Sequence, residues 1–398
     1  MHKNKSSKGA EVAVPAESSF PIVAIGASSG GLEAVTELLN SLPANTGMAF
    51  IFIQHLSPDY KSMLAQLLAK STKMKVQEIE DMELMRPNNV YVIPNNRDIE
   101  VTDGHIQLIN RTKGVSNLSI DVLFTSLAKT HGEGAIGIVL SGNASDGTLG
   151  LKAIQQAGGI TFAQDNSAKY GSMPQSAISE GVADFVLSPK EIARELSRIS
   201  THTKVVNNKQ SFGVVPEIMD NSTDLKTILK LLYKATSVDF SGYKMNTIKR
   251  RIMRRMLIAK VRLLSEYAKL LKDNGMEVGL LYDDLLINVT EFFRDNESFT
   301  YLKEILFPKF LKEKGPDNRF RVWVTACSTG QEAYSIAMLL LELYGDTPIN
   351  KQVQIFASDL SQLAIKKARA GIFSKSEVSR VSEQRLERFF VQTYGEYR

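Results

Sequence analysis

Cysteine is nearly absent from this sequence. One cysteine, Cys327, occurs in 398 residues, so no intramolecular disulfide can form and no cysteine-based zinc site is available. Such a chain suits a reducing compartment, which predicts a cytoplasmic location. No apolar run approaches the roughly 20 residues that span a bilayer, and the first residues lack the apolar stretch of a signal peptide. We therefore expect no membrane insertion.

A strong excess of one charge is also missing. The net charge is +5, with 43% hydrophobic and 23% charged residues. This balance excludes wholesale disorder, and the charge is too mild to indicate nucleic acid as a partner. The length is about two to three times that of a usual domain, which predicts two or three domains.

Hydrophobic patterns divide the chain into segments. Residues 1–18 are polar and aperiodic, which predicts a disordered tail. In residues 19–200, β-branched runs alternate with helical patterns, which predicts an α/β domain with a doubly wound parallel sheet. A polar linker is expected at 201–215 and a small all-α domain at 216–296. Strand patterns return at 297–398, which predicts a second, partial Rossmann-like domain.

Three groups able to form a catalytic triad follow three predicted strands. In PIVAIGASSGGLEAV, a strand, a turn and a helix, Gly26, Ser28 and Gly30 fit the G-x-S-x-G turn that lifts a serine above a sheet. His55 directly follows the strand MAFIFIQ, and Asp146 follows GAIGIVLSG. Because parallel strands end at one sheet edge, we expect these side chains to meet there as nucleophile, base and orienting acid.

Other interpretations of these residues stay open. The Ser/Gly turn also suits a phosphate, or no chemistry at all. His55 could be a hydrogen-bonded histidine at the sheet edge, and Asp146 a turn former ahead of Gly147. His105, in TDGHI, and His131, in KTHGEG, are competing bases, although their polar surroundings predict that both are solvated.

Five motifs in this part resemble the catalytic domain of the chemotaxis receptor-glutamate methylesterases (CheB). They are, in order, AIGASSGGLEAV, FIQHLSP, SIDVLFTSLAK, GIVLSGNASDGTLG and YGSMPQSAI. The resemblance covers about residues 20–195 and implies Ser28, rather than the adjacent Ser29, as nucleophile, with His55 as base and Asp146 as its orienter. It also implies hydrolysis of glutamyl methyl esters on chemoreceptors, deamidation of certain glutamines, and no cofactor.

The chain departs from the pattern of that family in two ways. Chemotaxis members usually carry an N-terminal phospho-receiver domain, whereas this chain has a short tail, so we do not expect control by a fused receiver. Asn143 stands three residues before Asp146, where the family often has methionine. This difference would alter the oxyanion environment or the substrate range.

A second strand-turn-helix pattern begins at RFRVWVTACSTGQEAYSIAMLL. A short turn of this kind lets a nucleotide-like cofactor lie against the backbone, and an acid after the next strand can bind ribose hydroxyls. Asp359 has that second position, and Glu332 stands in the first turn of the helix. The absence of G-x-G-x-x-G argues against NAD, while a helix cap or a dehydrogenase-like unit stays open.

The motifs INVTEFFRD, ACSTGQEAYSIA, FASDLS and KKARAGIFS resemble the chemotaxis receptor-glutamate methyltransferases (CheR), which use S-adenosylmethionine. The resemblance covers about residues 220–398. It implies cofactor contacts, with one arginine reaching toward the reacting centre, at Asn288, Thr290, Arg294, Glu332 and Asp359. Caps and a surface charge are the structural alternatives for these residues.

Basic residues without any acid occupy the segment from Lys244 to Arg262. An apolar stripe with helical spacing runs through it at Met245, Ile248, Ile252 and Met256. The opposite face is predicted to carry Arg250, Arg251, Arg254 and Arg255. This face is either merely solvated or a binding surface for an acidic receptor helix, and the lack of interleaved aromatic residues argues against nucleic acid.

Together these motifs predict a fusion of a methylesterase with a methyltransferase. A non-catalytic scaffold that binds receptors or adaptor proteins, and a general serine hydrolase, are the rival interpretations. Because few strands are predicted after Arg319, we also expect the chain to be a fragment whose methyltransferase half binds S-adenosylmethionine weakly and is inactive.

Overall fold

The computed structural model describes most of the chain. It covers residues 20–54, 63–102, 104–110, 118–206, 223–286, 290–313, 320–344, 353–375, 377–393 and 396–398. The predicted tail, His55, Asn288 and residues 207–215 of the predicted linker lie outside these ranges. The chain forms two compact units, residues 1–278 and 279–398.

The strands are numbered in chain order. They are Ile22–Ala27 (β1), Ala49–Gln54 (β2), Lys75–Glu78 (β3), Glu83–Leu84 (β4), Asn89–Val92 (β5), Arg97–Thr102 (β6), His105–Asn110 (β7), Ala135–Val139 (β8), Ile160–Gln164 (β9), Phe185–Leu187 (β10), Phe320–Thr325 (β11), Val353–Ser358 (β12), Phe373–Ser374 (β13), Gln392–Thr393 (β14) and Glu396–Tyr397 (β15).

The helices are numbered in the same way. They are Gly31–Ser41 (α1), Leu64–Leu68 (α2), Ser119–His131 (α3), Thr148–Ala157 (α4), Ser172–Ser179 (α5), Pro189–Val206 (α6), Thr223–Thr236 (α7), Met245–Ile258 (α8), Leu264–Asp273 (α9), Gly275–Leu285 (α10), Asn296–Tyr301 (α11), Phe307–Glu313 (α12), Gln331–Tyr344 (α13), Gln362–Ala370 (α14) and Glu383–Phe389 (α15). A π-helical turn, Leu302–Leu306, joins α11 to α12.

A seven-stranded sheet forms the centre of the first unit. Its strand order is β10-β9-β8-β1-β2-β5-β3, and every pairing in it is parallel. The central strand β1 is buried throughout and sends alternate side chains to opposite faces, because side chains repeat every two residues along a strand. Ile22 and Ala24 join the core beneath α3 and α4, whereas Val23 and Ile25 join the core beneath α1 and α6. The predicted doubly wound parallel sheet is confirmed.

A small antiparallel sheet accompanies this domain, with the strand order β4-β7-β6. His105 begins β7 and is partly buried rather than solvated, which corrects the prediction for that histidine. The long helix α6 extends to Val206, so residues 201–206 of the predicted linker are helical.

An all-α domain formed by α7 to α10 follows. The apolar stripe predicted for α8 is confirmed at Ile248, Ile252 and Met256, which are buried. This domain falls largely within the first compact unit, together with the parallel sheet.

The second unit has the predicted strand-helix-strand start. Strands β11 and β12 pair in parallel, and α13 connects them along the chain. A separate antiparallel sheet has the order β13-β15-β14. The core includes Phe292, Phe320, Leu339 and Phe373. Within the described ranges, no helix is both long and apolar enough to cross a bilayer.

Candidate functional site

Ser28 lies at the carboxyl end of the central strand, where the chain turns into α1. Its N–H donates to the carbonyl oxygen of Ser141 (3.0 Å), and its own carbonyl oxygen accepts from Gly31 N–H (3.0 Å). Gly30 has φ = 73°, and a Cβ at that position would lie 2.7 Å from Ser141 Oγ. The turn therefore requires glycine, and it leaves the Ser28 side chain only partly buried.

The buried Ser141 holds this turn in place, a role that the sequence did not reveal. Its Oγ donates to the carbonyl oxygen of Ser29 (2.8 Å) and accepts from Tyr170 N–H (3.0 Å). Its N–H donates to Gln164 Oε1 (2.9 Å). Ser141 follows β8, and Gln164 ends β9. The Ser28 turn is therefore fixed to the ends of β8 and β9, the two strands next to β1 on one side of the sheet.

Asp146 is 2% exposed and follows β8 in the same region. Its Oδ2 accepts from Ile120 N–H and its Oδ1 from Asp121 N–H, both at 3.0 Å. These donors belong to the first turn of α3, where the helix dipole also favours a negative charge. The structure therefore supplies the buried, fixed carboxylate that an orienting acid requires.

A second carboxyl group, Asp121, is buried beside Asp146 and was not predicted as part of the site. Asp121 Oδ1 accepts from Gly150 N–H (2.7 Å) in the first turn of α4. Each aspartate thus caps a different helix. Burial, and then the charge of Asp146, raise the pKa of Asp121 to about 7.

The strand that precedes the predicted base ends beside Ser28. Gln54 is the last residue of β2, is paired in register with Ala27 of β1, and donates from Nε2 to the Ser28 carbonyl oxygen (3.2 Å). His55 is the next residue in the sequence, outside the described ranges. The competing His131 ends α3 ahead of β8, at the opposite edge of the sheet.

His131 is partly buried rather than solvated. Its Nδ1 lies 2.9 Å from Thr130 Oγ1. Burial lowers the pKa of the ring to about 4, so it is neutral at pH 7.

Gly142, Asn143 and Met173 form the surroundings of Ser28. A Cβ on Gly142 would lie 2.1 Å from Met173 Sδ and 2.9 Å from Ser28 Cβ. Asn143 is exposed, and its Nδ2 donates to Ser29 Oγ (3.3 Å). The residue that departs from the methylesterase pattern therefore contacts the serine next to the predicted nucleophile.

The loop of residues 326–330, after β11, has the strained backbone expected at a cofactor turn. Ala326 (φ 56°), Ser328 (φ 49°) and Gly330 (φ 100°) are in or near the left-handed region. Asp359 holds this loop, because its Oδ2 accepts from Ser328 N–H and its Oδ1 from Ser361 N–H, both at 2.8 Å. Ser328 Oγ is buried and has no hydrogen-bond partner among the described residues, which marks a polar position that a ligand could satisfy.

The two predicted acids approach the same loop. Glu332 is exposed in the first turn of α13, and Asp359 directly follows β12. Burial raises the pKa of the Cys327 thiol, and the charges of Asp359 and Glu332 raise it further.

Arg294 and Thr290 lie on a segment that is joined to the same helix. Phe293 N–H donates to Ser335 Oγ of α13 (3.1 Å). Arg294 is exposed between two residues in the left-handed region, Phe293 (φ 50°) and Asp295 (φ 49°), and Thr290 is partly buried. The structure thus brings the Arg294 segment, Glu332 and the 326–330 loop to one end of α13.

An ion-pair network that sequence reasoning missed supports this segment. The Arg385 guanidinium lies 4.1 Å from the centre of the Phe293 ring. It also donates to both carboxylate oxygens of Glu342, at 2.6 and 3.1 Å, and Lys303 Nζ lies 2.8 Å from Oε2. These cations lower the pKa of Glu342, first through the hydrogen bond from Arg385.

The predicted solvated arginine face of α8 is not found. Arg251, Arg254 and Arg255 are buried, and the Arg250 side chain is 52% exposed and paired with Glu133 (2.8 Å). The prediction of an exposed basic face is wrong because the apolar spacing identifies one packed face and cannot show that the opposite face packs as well.

The first domain is thus an α/β domain whose parallel sheet carries a serine on its central strand-helix turn and a fixed, buried carboxylate at the same edge. Residues 23–196 match the model of the CheB methylesterase family. Residues 223–286 match the all-alpha domain of CheR methyltransferase, and residues 288–398 match its SAM binding domain. The chain therefore carries a CheB methylesterase domain, here called the esterase domain, followed by both domains of a CheR methyltransferase.

Curated relatives share these regions. An uncharacterised 104.1 kDa protein of Rhodobacter capsulatus is 33% identical over 352 residues, which are 84% of this chain and 37% of that protein. A protein-glutamate methylesterase/protein-glutamine glutaminase of Photorhabdus laumondii is 37% identical over 47% of this chain and 55% of its own length. The Escherichia coli protein with the same description is 34% identical over 50% of this chain and 59% of its own length.

The chain thus spans between 37% and 59% of the length of these three relatives. A solved structure, the catalytic domain of Thermotoga maritima CheB methylesterase, matches 46% of this chain and 99% of its own chain, at 28% identity and a TM-score of 0.42.

Proposed function

We propose that the esterase domain hydrolyses glutamyl methyl esters on a chemoreceptor or related signalling protein in the cytoplasm. Ser28 is the nucleophile, His55 the general base and Asp146 the group that orients it. The observation that carries this proposal is the buried carboxylate of Asp146, which is fixed by two backbone N–H groups at the carboxyl edge of the sheet that also presents Ser28.

In the proposed reaction, Ser28 Oγ attacks the ester carbonyl carbon while His55 takes the hydroxyl proton. The C–O bond to the methoxy group then breaks, and His55 returns the proton to the leaving oxygen, which releases methanol. Water attacks the acyl-serine in the second half of the reaction, and this step releases glutamate and restores Ser28. With a glutamine side chain, the same first step would release ammonia, which gives deamidation.

The esterase proposal is tested by methanol release from methylated chemoreceptors incubated with the full chain. Ser28→Ala should lower kcat by at least about 10³-fold, because the nucleophile is lost. The matched control Ser29→Ala should lower it less than about 10-fold. Wild-type activity in Ser28→Ala would refute the assignment. Receptor binding without methanol release would support the scaffold, and equal hydrolysis of small acetate esters would support a general hydrolase.

For the second part, we propose a domain of the glutamate O-methyltransferase type with S-adenosylmethionine as its cofactor, inactive in this chain. The described residues fit that group, because the 326–330 loop leaves Ser328 Oγ without a partner and Asp359 retains acceptor capacity toward hydroxyl groups. Asn288, Thr290, Arg294 and Glu332 are the further proposed contacts. When bound, S-adenosylmethionine supplies the methyl group.

We expect this binding to be weak and methyl transfer to be absent. Among the residues that the structure describes, the sheet that carries the 326–330 loop has two strands, and Trp323 (69%) and Phe356 (53%) on it are exposed. A cofactor at the end of so small a sheet meets few opposing walls. Calorimetry tests this expectation, since micromolar binding together with receptor methylation would contradict it.

A further inference from the structure

Helix α8 of the all-α domain packs against the edge of the esterase sheet that lies opposite Ser28. Its contacts are with residues just before the starts of strands: Gly159 directly precedes β9, Asp184 directly precedes β10, and Glu133 lies two residues before β8. Ser28 follows β1, at the other end of the parallel strands. The all-α domain therefore leaves the candidate catalytic edge uncovered.

Arg254 is at the centre of this contact. Its Nη2 lies 2.5 Å from Asp184 Oδ1, and its Nε donates to the Gly159 carbonyl oxygen (3.0 Å). The side chains of this ion pair are 2% and 4% exposed. Asp184 also accepts from Thr161 N–H (3.0 Å). The carboxylate is therefore held in position by the esterase domain itself.

Arg251 binds the end of a helix rather than a carboxylate. Its guanidinium donates to the carbonyl oxygens of Gln155 (2.9 Å) and Gln156, in the last turn of α4. These carbonyl groups form the negative pole of the helix dipole. Arg250 adds the ion pair with Glu133, so the esterase domain offers this helix two carboxylates and one negative helix end.

Two contacts close the rim of the interface. Arg198 of α6 donates from Nη2 to the Leu257 carbonyl oxygen (2.7 Å), and Lys260 Nζ lies 3.5 Å from Glu195. Leu257 packs against the apolar core beneath α6. The contacts described here are mainly charged and polar, which is typical of domain contacts that open and close. A buried ion pair such as Arg254–Asp184 is often no more stabilising than apolar side chains of similar volume.

We propose that the arginine face of α8, formed by Arg250, Arg251 and Arg254, is a binding surface for acidic polypeptides that the esterase domain covers reversibly. The groups that cover it, carboxylates and helix-end carbonyls, are those that an acidic helix of another protein presents. The esterase domain and such a protein compete for the same guanidinium groups. Release of the esterase domain exposes the surface, while the all-α domain leaves the Ser28 edge uncovered in both states.

The test removes the esterase-domain carboxylates that contact α8 and leaves the arginines of α8 unchanged. In the full chain, Glu133→Lys with Asp184→Asn removes both carboxylates that face α8. Glu37→Lys with Glu78→Gln is the matched control, because it adds the same positive charge at exposed residues of α1 and β3. The probe is fluorescein-labelled poly-L-glutamate, and its binding is followed by anisotropy at low and high salt.

The opened variant should bind the probe at least about 10-fold more tightly than the wild type and the control, with the gain lost at high salt. Adding Arg251→Glu and Arg254→Glu to it should remove the gain. Hydrogen exchange of α8 separates the two parts of the proposal. If α8 becomes unprotected but probe binding does not increase, the surface is not an acidic-binding site. If α8 stays protected, Glu133 and Asp184 are not the groups that hold the esterase domain against α8, and the proposal is wrong.

Glu133→Lys alone, at a partly exposed side chain, provides a milder variant if the double variant does not fold, and the same outcomes apply to it. The proposal does not depend on the esterase chemistry. Methanol release by these variants should equal that of the wild type, whether or not Ser28 is the nucleophile.

Discussion

Replacing Asp121 with asparagine should make the stability of the esterase domain much less sensitive to pH. Asp121 is 8% exposed, and burial, followed by the charge of Asp146, raises its pKa from 3.8 to about 7. The folded chain therefore holds this proton more tightly than the unfolded chain. The stabilisation that results is complete below about pH 4 and is lost as the pH rises to about 7, and its size is about 4 kcal/mol.

The asparagine side chain of the Asp121→Asn variant keeps an oxygen that can accept from Gly150 N–H, but it cannot ionise. Between pH 5 and pH 8, ionisation of Asp121 should lower the unfolding free energy of the wild type by about 2 to 3 kcal/mol. The variant should not show this decrease. Urea denaturation followed by far-UV circular dichroism measures the difference. Trp323, the single tryptophan, lies in the second unit, so its fluorescence reports that unit separately.

The exposed Glu37→Gln on α1 is the control, and it should follow the pH dependence of wild type. Other groups that titrate in this range contribute equally to all three proteins, so the comparison isolates Asp121. Parallel stability curves for wild type and Asp121→Asn from pH 5 to pH 8 would refute the reasoning. The buried carboxyl would then be paired or solvated in a way that the structure does not show.

Two further changes test the packing. Gly142→Ala should lower kcat for methanol release more than about 10-fold, because the new Cβ is placed 2.1 Å from Met173 Sδ and 2.9 Å from Ser28 Cβ. Gly242→Ala, with nothing within 4 Å of the new Cβ and no positive φ, is the control for steric crowding, and equal activity of the two variants would contradict the prediction. Arg255→Met should destabilise the all-α domain by about 3 to 5 kcal/mol, measured by thermal unfolding, because it leaves the buried Glu277 carboxylate unpaired. Adding Glu277→Gln should recover part of that loss, and no recovery would show that the charge of Glu277 is not the cause.

Much of the parallel-sheet architecture could be predicted because local patterns determine it. Alternating strand and helix patterns allow few topologies, and a parallel sheet places the residues after its strands at one edge. Ser28 and Asp146 could therefore be assigned to one edge before the structure was known. Asp121 could not, because a single acid in the first turn of a helix is usual and only the packing of α3 against α4 buries it.

The prediction of an exposed arginine face on α8 was wrong for a related reason. Helical spacing shows that one face is apolar, but it cannot show that a second domain supplies carboxylates and carbonyl groups to the other face. Those partners, such as Asp184 and Gly159, are between 70 and 95 residues distant in sequence from Arg254. The same limit applies to Arg385, whose contact with Phe293 depends on how the second unit folds.

Asp146 both caps α3 and is the proposed orienting acid. These two roles affect which inactive variant is suitable for capturing substrates. A carboxylate that caps α3 cannot be removed without also loosening the helix that carries Asp121, so a variant at Asp146 would confuse lost chemistry with lost structure. Ser28 contributes only main-chain hydrogen bonds to its turn among the contacts described above, and its hydroxyl caps nothing there. Ser28→Ala is therefore the reagent for trapping methylated partners in pull-down experiments, with the binding surface of the native esterase domain preserved.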